Sequence, residues 1–527
     1  MNSFLSKQFI KIKRLFGKAP QKRSFQAGLN SRLTADWVFT PVSMDTDLWR
    51  SLKNLRARSR ELTKNDDYAK QFIRLIRSNV VGPDGMTLQN KAKNADGSLD
   101  ERANFLIQEA FGDWSYKKNA SVTRKLSWID LQRLFIATVA RDGEALVRIV
   151  RPFNNSHQIS LQFLEVDHLD EYLNVPQLEN GNQIRMGVEL NPWREPVAYY
   201  LLAGNPGDYN YLSGSMRYNR IPASEIIHAF IQDSPEQTRG LPWMVTAMIR
   251  MKMIGGYEEA EIIAARVGAC KMGFFTSPDG QGYAGDGTDS NGNTITEAEP
   301  GTFEQLPDGV DFASFNPDHP AGNFAPFMKA ILRGISSGLG VPYTALSSDL
   351  EGVSYSSIRQ GVIQERDEYK TIQTWMIEQF CEPVFEAYLD TALLIGKIPL
   401  PYSKFSQFNK PVFHPRGWQW VDPQSDVNAN LVAVQSGFKS RTEVCAEQGK
   451  DFIDVVSQLA KEKDLADSLG VTLEPIKTIV TEKTAATPDQ SITGSKSDQG
   501  LIQYISTLEK RLSSLETESG VYYASHN

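Results

Sequence analysis

The chain has 527 residues, 41% of them hydrophobic and 23% charged. That composition excludes wholesale disorder and allows about two to four domains of ordinary size. The formal net charge is −7, yet Lys7, Lys11, Lys13, Arg14, Lys18, Lys22 and Arg23 put +7 into the first two dozen residues of the N-terminal arm, leaving −14 for the rest. An acidic body excludes bulk electrostatic capture of a nucleic-acid backbone, so any such contact must be local or weak. The arm itself, residues 1–33, reads as a solvated extension or as a contact for nucleic acid or a membrane surface.

Residues 45–80 place Leu52, Leu55, Leu62, Tyr68, Phe72, Leu75 and Ile76 at intervals that build one apolar helical face. Val81-Gly82-Pro83-Asp84-Gly85 predicts a tight turn, because glycine and proline end a helix and reverse the chain. A second helical pair is predicted over Asp100–Trp114 and Trp128–Ala140. Strand signals follow Asp142-Gly143. Ala145–Val150, Ile159–Val166, Ile184–Leu190 and Pro196–Leu202 are rich in β-branched and aromatic residues between Asn, Gly and Pro turns. Ile221–Phe230 continues as a strand or short mixed element. The chain as far as Asp233 therefore reads as α+β.

From Leu241 to Val267 the pattern becomes helical and apolar on most sides, with a possible weak point at Gly255-Gly256. Such a helix must be covered on most sides, by a deep core or by neighbouring subunits. Ser277–Pro300 is rich in Gly, Asp and Asn and predicts an extended excursion. A shorter helix, Ala325–Leu339, is stopped by Gly340-Val341-Pro342. Tyr343–Ser356 then predicts a Ser/Gly-rich loop, long enough to carry function. The longest helix is predicted over Ser357–Leu394 with a kink at Pro383. After Asp422-Pro423, helices are expected over Ser425–Gln435 and Glu443–Leu469. The tail from Thr481 to Gly500 reads as disordered, with a short helix near Leu501–Leu515.

Motifs for chemistry are sparse. Neither Gly17-Lys18 nor Gly449-Lys450 has the glycine spacing of a phosphate-binding loop, so ATP hydrolysis is not expected. None of the six histidines pairs with another at i,i+4 spacing, and His228 and His414 read as structural. Cys270, Cys381 and Cys445 are far apart and odd in number, which fits buried thiols better than a disulfide or zinc framework. Asp286–Glu297 resembles a calcium loop, but its glycine, Gly292, stands one position late for the sharp turn. Asp318, Glu368 and Lys370 superficially supply a Mg²⁺-dependent nuclease, although Glu368 and Lys370 fall within the longest helix. No apolar run approaches the roughly 20 residues of a membrane-spanning helix, and no secretory signal is evident. No catalytic residue, metal or cofactor is expected.

Several segments together resemble the lambda-type portal family of tailed phages. They are Leu55-Arg56-Ala57-Arg58-Ser59-Arg60-Glu61-Leu62 with Asn65 and Val80-Val81-Gly82, then Asp142-Gly143-Glu144 before a strand. Gly187-Val188-Glu189 with Pro196-Val197-Ala198-Tyr199 follows, and then Arg220-Ile221-Pro222-Ala223 with Ile226-Ile227-His228. Arg239-Gly240-Leu241-Pro242-Trp243 opens the central helix. Gly340-Val341-Pro342-Tyr343, Ser354-Tyr355-Ser356-Ser357 and Trp420-Val421-Asp422-Pro423 complete the series. Their order and spacing carry the likeness over about Thr34–Val471.

The resemblance implies an α+β portal-type fold. Thr34–Asp233 with Ser357–Asp422 would form an α/β wing, with stem helices within 234–267 and 325–342. Residues 268–324 would be a clip, 343–356 a tunnel loop, 423–471 a mainly helical crown, and 472–527 a flexible tail. It further implies a homo-oligomeric ring, usually a dodecamer, at one capsid vertex. Through it a separate terminase large subunit packages double-stranded DNA, alongside the major capsid protein and head-tail connector proteins. The expected location is the virion, and the host cytoplasm during assembly. The candidate channel residues are Tyr343, Ser347, Ser348, Gly352, Ser354, Tyr355 and Ser356. Arg333 and Arg359 are candidates for DNA-phosphate contacts, or equally for salt bridges between subunits. A Mg²⁺-dependent nuclease and another head-tail adaptor or minor capsid protein remain the alternatives.

Overall fold

A computed structural model describes residues 40–208, 217–269, 324–352, 354–418 and 423–471, with isolated short stretches at 36, 273–276, 287–288, 294–295 and 311–314. The calcium-like segment lies largely outside the described residues, as do the N-terminal arm, Asp318 and the tail beyond 471. The chain divides into two compact units, Met1–Val456 and Ser457–Asn527. Of the second, the described part is the end of helix Phe452–Leu469 and the two residues after it.

The predicted helical stretch 45–80 is two helices, α1 (Met44–Asn65) and α2 (Asp67–Val80). Asp66 separates them because it is extended and caps α2, its carboxylate accepting from the Ala69 amide. Helices α3 (Glu101–Trp114) and α4 (Trp128–Asp142) follow as expected, α4 opening on a reciprocal capping box between Ser127 and Asp130.

Two antiparallel sheets come next. Strand β2 (Glu144–Val150) lies between β3 (Ser160–Leu164) and β8 (Ile226–Phe230). The second sheet runs β4 (Gln183–Arg185), β5 (Val188–Leu190), β6 (Pro196–Leu202), β7 (Tyr218–Pro222). Ile184–Leu190, expected as one strand, is a hairpin. Met186 and Gly187 both have positive φ, as a tight turn with matching twist requires. Ile221–Phe230 is likewise split between the two sheets, since Pro222 has no amide to continue the ladder. Strand β1 (Thr87–Asn90) was not anticipated. It pairs with β9 (Pro411–His414), whose partner lies more than 300 residues away in the chain.

The central helix α5 (Met248–Ala269) begins later than expected. Residues 241–247 form turns instead, bonded from Val245 to Pro242 and from Ala247 to Met244. Helix α6 (Phe324–Leu339) lies against α5 through glycines. Thr246 Oγ1 donates to the Gly338 carbonyl at 3.0 Å and Arg250 Nη1 to that of Gly334 at 3.1 Å. A Cβ at 334 would meet the Arg250 guanidinium at 3.0 Å and one at 338 the Thr246 hydroxyl at 3.1 Å, close contacts to which those side chains would have to yield.

The expected loop 343–356 contains one helical piece, α7 (Tyr343–Ser347), and α8 (Tyr355–Met376) starts two residues earlier than predicted. The long helix is not merely kinked. A π turn, Ile377–Cys381, precedes α9 (Glu382–Leu394), which carries Pro383 in its first turn. Pro383 cannot donate to the Gln379 carbonyl, so the helix widens just before it. Beyond it, α10 (Pro423–Gln435), α11 (Arg441–Glu447) and α12 (Phe452–Leu469) follow, the expected 443–469 helix being broken at Gly449, which has positive φ.

The principal core is aromatic and joins distant segments. Phe135 of α4 stacks on Phe380 at 4.2 Å between centroids, and Phe111 of α3 meets Phe385 and Tyr388 edge-on. Each buried ring contributes about 1.5–3 kcal/mol by transfer, with about 0.5–1.5 kcal/mol more for a well-placed pair. This cluster and the β1–β9 pairing fold residues 357–418 onto the N-terminal α+β region.

Candidate functional site

The approach to α5 is fixed by two glycines. Gly143, with positive φ, ends α4, and a Cβ there would run into the Leu241 and Pro242 backbone. A Cβ on Gly240 would run into the Gly143 carbonyl and the Phe230 side chain. Only glycine lets these backbones meet, which explains Asp142-Gly143-Glu144 and Arg239-Gly240-Leu241 as one device.

Around this contact lies a buried ion cluster. Glu144 receives Arg239 at 2.6 Å, Arg56 at 2.9 Å and His228 Nε2 at 2.9 Å, and the Gly240 amide also donates to it. Burial alone would push the Glu144 carboxyl up, but Arg239, His228 and Arg56 outweigh it and hold it well below its ordinary value. Arg239 also donates to the Leu169 and Met186 carbonyls, tying both sheets to the junction. Arg60 bridges Asp142 and Asp167 beside it. His228 therefore has a structural place, its Nε2 held against the Glu144 carboxylate. His414 lies beside β1, its Nε2 3.1 Å from Gln89 Oε1.

From this anchored start, α5 buries Met251 and Ile254 while Met244, Ala247 and Met248 close the turn before and at its first residue. Its other flank is open, with Ile249 70% exposed, Met253 69% and Ile263 53%. Ile262, about three turns beyond Met251 on the same face, is 61% exposed. The sequence pattern calls for cover on most sides, and the described residues cover only one.

The segment after α6 is pinned rather than loose. Val341 and Leu346 are buried, and Gln71 of α2 donates to the Ala345 carbonyl at 3.2 Å. Lys329 of α6 reaches Glu351 at 2.7 Å and Asp349 at 3.3 Å, and Tyr343 Oη donates to Asp349 at 2.7 Å. Burial first, then the bond to Asp349, raise the Tyr343 phenol. Ser347 Oγ donates to the Tyr343 carbonyl and accepts from the Asp349 amide. Ser348 and Gly352 supply positive φ for the turns.

The structure thus gathers Tyr343, Ser347, Ser348 and Gly352 into one clamped turn. Arg333 lies over the Tyr343 ring, 5.5 Å from its centroid. Arg359 instead holds Asp426 of α10 at 2.7 Å. Ser354 is exposed, and the side chains of Tyr355 and Ser356 lie outside the described residues. Sequence reasoning missed Lys329 and Asp349. The signal was present: Lys329 and Arg333 are four apart on one helix, facing a loop with two acids. Glu368 is exposed within α8, and Lys370 pairs with Asp367 at 3.0 Å. Among the described residues no three His, Cys, Asp or Glu side chains are grouped as a metal site would need, and no helix is long and apolar enough to cross a membrane.

Comparison with known proteins places this arrangement. Residues 30–373 match the family described as phage portal protein, lambda family. The chain belongs to that family. The probable portal protein of Halomonas phage phiHAP-1 is 37% identical over 457 residues, covering 85% of this chain and 88% of its own. Portal protein B of Escherichia phage lambda is 21% identical over 81% of this chain and 86% of its own. Among solved structures, a chain in the neck of an empty gene transfer agent particle aligns with 74% of this chain and 93% of its own at 14% identity, with a TM-score of 0.41.

Proposed function

We propose that the chain is the ring-forming portal subunit of a tailed phage. Copies assemble, twelve in the usual case, around a channel at one capsid vertex through which double-stranded DNA is packaged. The carrying observation is the open apolar flank of α5, in a chain of the portal family. Ile249, Met253 and Ile263 present a stripe that a soluble monomer leaves in water and a neighbouring copy would cover. The absence of a phosphate-loop motif in the sequence supports an external motor, a terminase large subunit. The role assigned is structural, in the virion, with the major capsid protein and connector proteins around the ring.

Within that reading, residues 34–233 and 357–422 form the wing, α5 and α6 the stem, 268–324 the clip and 423–471 the crown. Residues 343–356 are the channel loop, its base held by Lys329 and Arg333. Arg359, already engaged by Asp426, serves as a tie between α8 and α10 rather than as a phosphate contact.

Negative-stain microscopy of the purified full-length chain tests this. Annular particles with a central hole are expected, and Met253→Asp with Ile263→Asp should disperse them while leaving far-ultraviolet dichroism unchanged. Wild-type protein that stays monomeric at every salt and protein concentration would overturn the reading.

A further inference from the structure

Two charged stripes of opposite sign run along helices of this chain, and each is unpartnered among the described residues. The first lies on α2, where Lys70, Arg74 and Arg77 are exposed at i, i+4 and i+7, with Lys64 at the end of α1 beside them. They line a cleft of about 520 Å³ together with Arg60 and Arg141. The acids in and beneath this cleft are already taken: Asp142 by Arg60 and Arg141, Asp167 by Arg60 and Arg56, Glu165 by Arg60. Among the described residues none of Lys64, Lys70, Arg74 and Arg77 forms an ion pair. Like charges one turn apart repel, so this row is strained without a counter-charge.

The second stripe is its complement. Glu378, in the π turn, and Glu382 and Glu386, on α9, are exposed at successive intervals of four and likewise form no ion pair among the described residues. Partial burial, then the neighbouring Glu378, raises the Glu382 carboxyl, as expected where a carboxylate lacks a cation. At a rise of roughly 1.5 Å per residue, Lys70–Arg77 spans about 10 Å and Glu378–Glu386 about 12 Å. The stripes are therefore opposite in sign and similar in length and spacing.

We propose that the α2 face of one copy docks on the Glu378–Glu386 face of a neighbouring copy. The contact uses two different surfaces, so a docked pair still offers one free face of each sign, and the interaction propagates until a ring closes. This rests on the ring reading above and names the charged part of its subunit interface. A nucleic-acid phosphate backbone is the competing occupant. It is disfavoured because the chain is acidic overall and carries its own complement.

Mass photometry of the full-length chain provides the test, with circular dichroism melting as the folding control. The variant Lys70→Glu/Arg74→Glu/Arg77→Glu should raise the concentration needed for assembly at least about tenfold, because like charges then oppose across the contact. Glu378→Lys/Glu382→Lys/Glu386→Lys should do the same. Mixing the two variants should restore rings, since every contact in an alternating ring is again complementary, and combining both reversals in one chain should restore them too. Unchanged assembly in both variants, or no rescue on mixing, overturns the proposal. So does loss of binding to a short fluorescent DNA duplex in the α2 variant with assembly unaffected, which would give the face to phosphates. If wild type forms no rings at all, the ring reading itself fails, a different outcome from rings indifferent to these charges.

Discussion

Glu144 and Arg239 meet at 2.6 Å with neither side chain reaching solvent, one opening a sheet strand and the other leading into the central helix. Removing one partner of such a pair leaves a buried charge uncompensated. Glu144→Ala should therefore destabilise the protein by about 3–5 kcal/mol, read as a lowered urea midpoint. Arg56 and Arg239 would both lose their shared carboxylate. A cost near zero would mean that the cluster is not what joins the sheets to α5.

Acid sensitivity follows from the same group and from Glu189. Arg220, through a hydrogen bond at 2.8 Å, holds the Glu189 carboxyl down at about 2, against an ordinary value of 4.5. A depressed folded-state value contributes stability above the unfolded value, and this is lost as pH falls through the folded one. Glu189→Gln should thus be less stable than wild type at neutral pH, and the difference in melting temperature should shrink as pH falls from 4.5 toward 2. A constant difference would contradict the assignment.

Glycine substitutions should separate sharply. Gly143→Ala forces a Cβ into the Leu241 and Pro242 backbone at positive φ and should abolish soluble, folded protein. Gly112→Ala, in the last turn of α3 with open space around its Cβ, should stabilise by about 0.4–1 kcal/mol. Expression yield and melting temperature read both.

Phe380→Ala removes a ring stacked on Phe135 and bordered by Trp128 and Phe163. The expected cost is about 3–5 kcal/mol, since the cavity opens where segments from distant parts of the chain converge. A loss below about 1 kcal/mol would show that the surroundings collapse freely.

Lys329→Ala cuts both ties to the 343–352 segment. Faster cleavage by a Glu-specific protease at Glu351 is expected, with the melting temperature unchanged because the ion pairs are solvent-screened. Equal cleavage rates would show that the buried Val341 and Leu346, with the Gln71 and Arg333 contacts, hold the turn without Lys329.

The amino-acid sequence by itself determined most helices, the long strands and the family, because periodicity and local motifs act over a few residues. Leu52 through Ile76 marked a helical face, and Pro196–Leu202 a strand, with no tertiary information. Tertiary structure decided the β1–β9 pairing, whose strands are four residues each and useless without a distant partner. It also decided that Gly143 and Gly240 share one backbone contact, and that Glu144 gathers Arg56, His228 and Arg239. The apolar pattern of α5 forecast burial on most sides. Only the fold revealed which flank the chain covers itself and which, from Ile249 to Ile263, it leaves open. Long-range contacts depend on how segments meet in space, and spacing along the chain does not encode that meeting.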